Sequence, residues 1–169
     1  MDFGLIVMQF SNWSQTIIQT FGYFGIFLVN LVGAASIILP VPAFAFVFFF
    51  GGVLNPWLVG FSAAIGAALG ELTGYVVGLG GEKLIEKRHK TFLRKYKKWL
   101  RREFMFPLVV LFAATPLPDD IVGIACGIFR YDVKKFLMAS FIGKLILNLA
   151  LAFGGYYGLN WVVDVLGGL

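Results

Sequence analysis

The chain has 169 residues, of which 59% are hydrophobic and 14% charged, and its mean hydropathy is +0.85. A soluble domain carries about 25% charged residues, so this composition excludes an ordinary soluble protein. No charged side chain lies between Asp2 and Glu71, 68 residues in all, whereas about 20 suffice to cross a bilayer. We therefore predict an all-α, polytopic membrane protein formed by one membrane domain, 1–169.

The first half of the chain, 14–81, consists of apolar segments that one short stretch interrupts. In chain order we predict a membrane-crossing helix, a re-entrant hairpin and a returning helix, at 15–36, 37–55 and 57–80. The hairpin follows from Pro40-Val41-Pro42, because prolines remove amide donors and disfavour helix before them. The apolar run that follows, 43–50, would form only about 12 Å of helix, too short for a core of about 30 Å. The alternative is an ordinary span kinked at the prolines.

The segment 82–103 between the two halves carries most of the charge. Ten of the 14 basic residues lie between Lys83 and Arg102. Apolar residues recur among them at helical spacing, so we predict an amphipathic helix on the membrane surface. The positive-inside rule makes this segment cytoplasmic in a multi-pass protein of the plasma membrane. Its expected partners are anionic membrane lipids rather than nucleic acid.

The second half, 104–169, repeats the order of the first. Pro116-Leu117-Pro118 matches the first proline pair, and Gly127 follows it by nine residues, as Gly51 follows the first pair. We therefore predict a second re-entrant hairpin and then a long crossing helix, at 104–130 and 133–155.

The crossings, counted along the chain, bring the two hairpins in from opposite faces of the membrane. With about three membrane-spanning helices, this is the inverted repeat of many transporters, whose substrate site lies near the midplane at the broken helices. The last segment, 156–169, is too short to return across the membrane unless it extends the preceding helix. The four residues at the breaks are Pro40, Pro42, Pro116 and Pro118.

Ionisable side chains within the predicted spans cost roughly 2.5–3.5 kcal/mol each by insertion scales. Glu71 and Lys144 both lie near the middle of their helices. Either they form an ion pair that joins the bundle, or Glu71 exchanges a proton or cation during transport. Asn148, one turn after Lys144, either bonds within the bundle or lines the cavity.

Two adjacent carboxylates, Asp119 and Asp120, follow the second proline pair. One interpretation is capping of the predicted short helix 121–129, whose first amides lack partners. Capping needs a single carboxylate, so the other is a candidate proton or cation site.

The first hairpin has no acid after its prolines. Its helix start therefore offers unpaired amides and a partial positive charge, which suit a phosphate group. We predict that a lipid phosphate binds at this turn, which comprises Pro42, Ala43, Phe44 and Ala45.

A row of glycines at every fourth residue surrounds Glu71. Such rows let helices pack backbone to backbone, and packing is the role we predict for Gly66, Gly70, Gly74 and Gly78. The sequence leaves a homo-oligomer open.

No residue pattern typical of catalysis or metal binding occurs. His89 and Cys126 are the only residues of their kinds, and Cys126 has apolar neighbours that favour a packing role. We expect a protein that is not an enzyme and has no catalytic residues, cofactor or metal site. The chain begins without a basic residue, so we expect no cleavable signal peptide.

Three segments carry a resemblance to the DedA family, also called the VTT or SNARE-associated Golgi protein superfamily. They read LPVP at 39–42, GELTGYVVGLGG at 70–81 and TPLPDDIVGIACGIFRYDVKKFLMASFIGK at 115–144. The resemblance implies a membrane lipid transporter or scramblase with two opposed re-entrant hairpins. Bacterial members are associated with recycling of undecaprenyl phosphate and with dependence on the proton gradient.

Asp119, Asp120 and the pair Gly74-Tyr75 fall where motifs of this family lie. Two positions depart from many bacterial relatives. Ala43-Phe44 stands where they have an acid, and Ala113-Ala114 where they have an arginine, which favours uncoupled scrambling over proton coupling.

We therefore expect a flippase or scramblase that moves a phosphate-bearing lipid, such as a polyprenyl phosphate or a phospholipid, between leaflets, with proton or cation coupling left open. One alternative is a proton- or cation-coupled carrier of a small soluble solute that uses Glu71, Asp119 and Lys144. Another is a structural factor in the assembly of membrane proteins, with the glycine row as its docking face.

Overall fold

The structure, a computed structural model, describes Thr16 and residues 20–36, 43–81, 104–117 and 119–167. Every secondary-structure element in these ranges is an α-helix, which confirms the all-α prediction. The predicted amphipathic helix, 82–103, lies outside the described residues. The same holds for three of the four break residues, Pro40, Pro42 and Pro118.

Seven helices are bounded within the described ranges, and Thr16, Thr20 and Phe21 before them are helical as well. In order they are α1 (Tyr23–Ala35), α2 (Ala43–Val53), α3 (Pro56–Gly70), α4 (72–81), α5 (Met105–Ala113), α6 (Asp120–Ile128) and α7 (Val133–Gly167). Glu71 joins α3 to α4 without a break, because its amide donates to the Ala67 carbonyl and its carbonyl accepts from the Tyr75 amide, at 3.1 and 3.2 Å.

Two helices in the described ranges are long and apolar enough to cross a membrane. Pro56–Gly81, which is α3 with α4, and Val133–Gly158, the first part of α7, have 26 residues each, or about 39 Å of helix. The sequence predicted about three spans. Of the predicted crossing helix 15–36, the structure describes α1, with 13 residues, and helical residues before it at Thr16, Thr20 and Phe21. Gly22 between them adopts a φ of 55°, a left-handed conformation that interrupts a helix.

Other helix ends differ from prediction at points where packing decides them. Helix α7 runs on to Gly167, so the segment after 155 extends that helix. Glycine is a weak helix former, but Gly155 lies directly against the backbone of Phe48 in α2, and this contact outweighs its propensity. Helix α6 begins one residue before the predicted 121, and α2 continues past 50 to Val53.

The two long helices begin with the same type of cap. The Asn55 side chain accepts hydrogen bonds from the amides two and three residues ahead, those of Trp57 and Leu58. Asp132 Oδ1 accepts bonds at the same two offsets, from the amides of Lys134 and Lys135, at 2.9 and 3.0 Å. Asn55 and Asp132 are called the two caps below. Positions in the two halves are compared by counting residues from them.

The long helices cross the molecule in opposite directions. The Trp57 ring packs on the Phe153 ring with centroids 5.1 Å apart, and Gly60 packs on Leu149 further along α3. As residue numbers rise in α3, those of the contacts in α7 fall, so the two helices are antiparallel. Helix α7 also contacts α2 and α5, while α1 packs on α3.

Glycines at matching positions mark where each long helix contacts the helix that opens its own half. Gly66 and Gly143 both lie eleven residues after their caps. A methyl group on Gly66 would strike the carbonyl oxygen of Phe27 in α1, and one on Gly143 would strike that of Val110 in α5. The row predicted to act as one packing face is thus divided, with Gly66 and Gly70 against α1 and Gly74 and Gly78 towards α6.

A second matched set joins each short helix to the long helix of the opposite half. Gly78 and Gly155 both lie 23 residues after their caps. Gly78 meets the carbonyl of Ile124 in α6, and Gly155 meets that of Phe48 in α2. These two carbonyls lie three residues before Gly127 and Gly51, the glycines that follow the two proline pairs.

The glycines of the short helices complete the correspondence. Gly127 meets the backbone of Tyr75 and Gly51 that of Ala152, and both contacted residues lie 20 residues after their caps. The same packing register therefore occurs twice in the chain.

We expect Gly78→Ala to lower the stability of the protein. The added methyl would strike the carbonyl of Ile124, a backbone atom that cannot rotate away, and overpacking costs about 1–3 kcal/mol. The control is Gly80→Ala, where nothing lies within 4 Å of the added carbon and the change favours the helix by about 0.5–1 kcal/mol. Thermal unfolding in detergent measures both, and equal melting temperatures would contradict the close contact of α4 with α6.

The Asp132 cap gives a pH-dependent contribution to stability. Hydrogen bonds from the Lys135 and Lys134 amides hold the pKa of Asp132 below its ordinary value. A carboxyl whose pKa is lowered by folding stabilises above its unfolded pKa of about 3.9 and loses that effect as the pH falls through its folded value. We expect the melting temperature of wild type to exceed that of Asp132→Ala at neutral pH, and this difference to shrink below about pH 4. A difference that stays constant would show that ionisation of the cap is irrelevant.

Candidate functional site

Three charged side chains meet between the two long helices. Lys144 lies 11 residues into α7, about 17 Å along it, and Glu71 lies 15 residues into the antiparallel helix, about 22 Å along it. The Lys144 ammonium is 2.9 Å from Glu71 Oε1 and 2.5 Å from Asp119 Oδ2. We call Glu71, Lys144 and Asp119 the ion cluster.

Packing around Glu71 fixes its place in the cluster. On one side, Gly70 lies against the last turn of α1, where it meets the Leu31 carbonyl and Ala34. The Thr73 hydroxyl lies 2.6 Å from the Gly70 carbonyl oxygen and 3.2 Å from the Ala35 carbonyl oxygen. The Glu71 carboxylate is therefore directed away from α1 and towards α7.

Asp119 reaches the cluster from the residue that precedes α6. It occupies the N-cap position but makes no side-chain capping bond, so of the two predicted roles, capping and ion binding, Asp119 does not take the first. Its carboxylate pairs with Lys144 instead, because α6 packs along α4, with Gly123 next to the backbone of Glu71 and Tyr75. Asp120 lies in the first turn of α6, where a negative charge suits the positive helix end.

The ion cluster has more negative than positive groups. The side chains of Lys144 and Glu71 are 8% and 4% exposed and that of Asp119 is 17% exposed. Burial of charges is costly unless they are paired. With both carboxylates ionised, two negative charges face one positive charge, and a proton or a monovalent cation would balance the remainder. The structure contains the Glu71–Lys144 ion pair that one of the two predictions described. Proton exchange by Glu71, the other, stays a prediction.

A buried polar stripe on α7 extends the cluster. Ser140, Lys144 and Asn148 recur at every fourth residue, and all three are buried. Sequence reasoning missed Ser140, although the four-residue spacing from Lys144 could have revealed it. It also missed Asn30 in α1, a buried residue whose amide donates to the Ile26 carbonyl at 2.9 Å.

Asn148 has one satisfied and one unsatisfied polar atom. Its Nδ2 donates to the Lys144 carbonyl within the same helix, at 2.7 Å, so both predicted roles of Asn148 stay predictions. Its Oδ1 is buried and accepts no hydrogen bond from the described residues. Buried polar atoms without a partner are rare and costly. This oxygen is therefore an unsatisfied acceptor that a hydrogen-bond donor would stabilise.

The residues predicted to bind phosphate lie at the start of α2. Ala43, Phe44 and Ala45 form its first turn, which contains no acid, whereas Pro42 lies outside the described residues. The first amides of a helix lack intrahelical partners. If α2 begins at these residues, as predicted, their amides are the donors that the helix leaves without partners. Pro116 lies in the turn that follows α5.

The apolar chain, the two long antiparallel helices and the ion cluster at mid-height describe a helical membrane protein. The VTT domain model matches residues 41–157, more than half of the chain. The protein belongs to the VTT domain family, as the resemblance to the DedA superfamily predicted.

Individual relatives are similar over most of the chain. An uncharacterized protein of Methanocaldococcus jannaschii is 29% identical over 144 residues, which cover 81% of this chain and 86% of the relative. Alkaline phosphatase-like proteins of Lactococcus lactis subsp. lactis and subsp. cremoris are 29% and 28% identical over 165 residues, 86% of this chain and 75% of each relative. No solved structure matches the chain.

We expect Lys144→Met to destabilise the protein by about 3–5 kcal/mol, because it leaves two buried carboxylates without a counter-charge. The matched control, Lys135→Met, removes an exposed lysine of the same helix and should change little. The triple variant Glu71→Gln, Asp119→Asn, Lys144→Met should recover much of the loss, since no buried charge is left unpaired. Denaturation in detergent measures all three variants. Equal loss in the triple and single variants would show that packing of the lysine, rather than charge, provides the stability.

Proposed function

We propose that this protein moves a phosphate-bearing lipid between the two leaflets of a membrane. The observation that carries the proposal is the ion cluster, because charged groups buried at the middle of two membrane-length helices are costly and mark transport pathways. The retention of these charges is explained if a polar group passes this level of the membrane.

The repeated packing register supports an inverted repeat. The long helices are antiparallel, and each short helix packs on the long helix of the other half at the same distance from its cap. Helices α2 and α6 have 11 and 9 residues, about 16 and 14 Å, too short for a core of about 30 Å. Both features agree with re-entrant hairpins from opposite faces, an arrangement that serves alternating access in transporters.

The two halves supply complementary chemistry for a phosphate-bearing lipid. The first turn of α2 offers amides without an acid to compete, which favours a phosphate oxygen. The ion cluster offers an excess carboxylate, which favours a proton or cation. We infer that the phosphate binds near α2 and that a coupling ion, where one is used, binds at Glu71 and Asp119.

The orientation we propose follows the positive-inside rule. With segment 82–103 on the cytoplasmic side of the plasma membrane, its ten basic residues would contact anionic headgroups. This contact would collect phosphate-bearing lipids near the molecule.

Reconstitution into liposomes tests the proposal. Vesicles of phosphatidylglycerol and phosphatidylethanolamine carry a trace of lipid with a fluorescent headgroup, and dithionite bleaches only the outer leaflet. We expect wild-type protein to expose the inner-leaflet lipid to bleaching and Lys144→Met to slow this by at least about tenfold, or ~1.4 kcal/mol. Lys135→Met, chosen because Lys135 is exposed, is the control and should retain the wild-type rate.

The same vesicles measure the role of the excess charge. Glu71→Gln leaves one carboxylate for one ammonium, so we expect lipid movement to continue but its response to an imposed pH difference to disappear. A wild-type rate equal to that of protein-free vesicles would refute lipid movement. Uptake of a soluble solute would instead support a solute carrier, and release of inorganic phosphate would support the activity that the name of the Lactococcus relatives suggests.

A further inference from the structure

The three members of the ion cluster have counterparts in the other half of the repeated register. Measured from the two caps, Lys144 corresponds to Ala67 and Glu71 corresponds to Asn148. Measured from the two hairpin glycines, Gly127 and Gly51, Asp119 corresponds to Ala43. Every charged member of the cluster thus has an uncharged counterpart.

The counterpart residues lie at one level of the molecule. Ala67 is one turn before Glu71 in α3, and Asn148 is one turn after Lys144 in the antiparallel α7, so the Glu71–Lys144 pair brings Ala67 level with Asn148. Both residues are buried, at 5% and 1% exposure. Helix α2 packs on α7 through Phe48 and Gly51, and extension of the matched register by two turns brings Ala43 to the level of Asn148, as Asp119 meets Lys144 at the level of Glu71.

The direction of the Asn148 side chain follows from its one hydrogen bond. Its nitrogen bonds back to the Lys144 carbonyl, and the oxygen of a planar amide points the other way. The oxygen therefore cannot accept a bond from the same turn, and it is buried at the level of Ala67 in α3. At the level of Glu71, the counterpart of Asn148, the facing helix supplies the Lys144 ammonium as a donor. At the level of Asn148, the facing residue is Ala67, which has no donor.

We propose that Asn148 Oδ1, Ala67 and the first turn of α2 form a headgroup niche for a group that both accepts and donates hydrogen bonds. The amides of α2 would donate to a phosphate oxygen, and Asn148 Oδ1 would accept from an N–H or O–H group of the same headgroup. Ethanolamine, glycerol and protonated phosphate monoester headgroups have such a donor. Phosphatidylcholine has none, because its ammonium is quaternary. Asn148 is thus a specificity-determining residue. This inference rests on the lipid transport proposed above.

The test compares headgroups in the liposome assay, with the fluorophore on an acyl chain so that the headgroup is intact. We expect wild-type protein to move phosphatidylethanolamine, phosphatidylglycerol and phosphatidic acid at least about tenfold faster than phosphatidylcholine, which corresponds to ~1.4 kcal/mol. Asn148→Leu keeps the side-chain size but removes the acceptor. In this variant the ratio of rates should fall to about one, because no buried acceptor is left to favour headgroups that have a donor.

The matched control is Asn30→Leu, which makes the same chemical change at a buried asparagine that also bonds to the carbonyl four residues before it. A purely structural role of Asn148 predicts that both variants slow all lipids equally and leave the ratio unchanged, and that result would overturn the proposal. Wild-type protein that moves phosphatidylcholine as fast as the others would overturn it without any variant. In that case lipid transport itself would stand, whereas movement of no lipid would end both proposals.

A further arm distinguishes a lipid headgroup from a free phosphate ester. Vesicles loaded with soluble phosphoethanolamine should retain it while lipid moves. Release of the solute through wild-type protein, but not through Asn148→Leu, would assign the niche to a soluble ester and overturn the lipid headgroup as its occupant.

Discussion

A single ammonium group, that of Lys144, joins three parts of the chain that are distant in sequence. It lies between the carboxylate at the α3–α4 junction and the carboxylate before α6. In water these pairs would contribute little, but buried charges depend on their partners. The position of α6 and the register of the two long helices are therefore coupled to the charge state of one site.

Close backbone contacts allow these side chains to meet. Where Gly78 and Gly155 meet carbonyl groups of short helices, no side chain separates the two backbones, and in a membrane such packing replaces the hydrophobic effect as the source of helix association. The chain applies this packing twice at equal distances from Asn55 and Asp132, yet it places ionisable groups in only one of the two resulting locations. The helix packing therefore occurs in both halves, whereas the charged side chains occur in one location.

The sequence predicted the features that depend on composition and spacing, and missed those that depend on register. Depth along a helix was sufficient to suggest that Glu71 meets Lys144. Capping and ion binding were both predicted for the pair Asp119 and Asp120 because local chemistry favours both roles, whereas the partner of Asp119 comes from α7 by tertiary packing. The end of α7 was predicted at its glycines, because the contact of Gly155 with α2 cannot be read from one segment. The register is defined by the positions of two caps, Asn55 and Asp132, which lie in different halves of the chain.

The unequal chemistry of the two halves has a consequence for transport of the kind proposed. Helix α6 is linked to the ion cluster through Asp119, so a movement of α6 away from α4 would separate a buried carboxylate from its ammonium. Helix α2 has no acid in its first turn, so its movement along α7 would separate no charges. Opening towards one face would therefore cost electrostatic energy that opening towards the other would not. A proton or cation on Asp119 or Glu71 would reduce that cost, which is how a charge imbalance in one half would couple an ion to the direction of lipid movement.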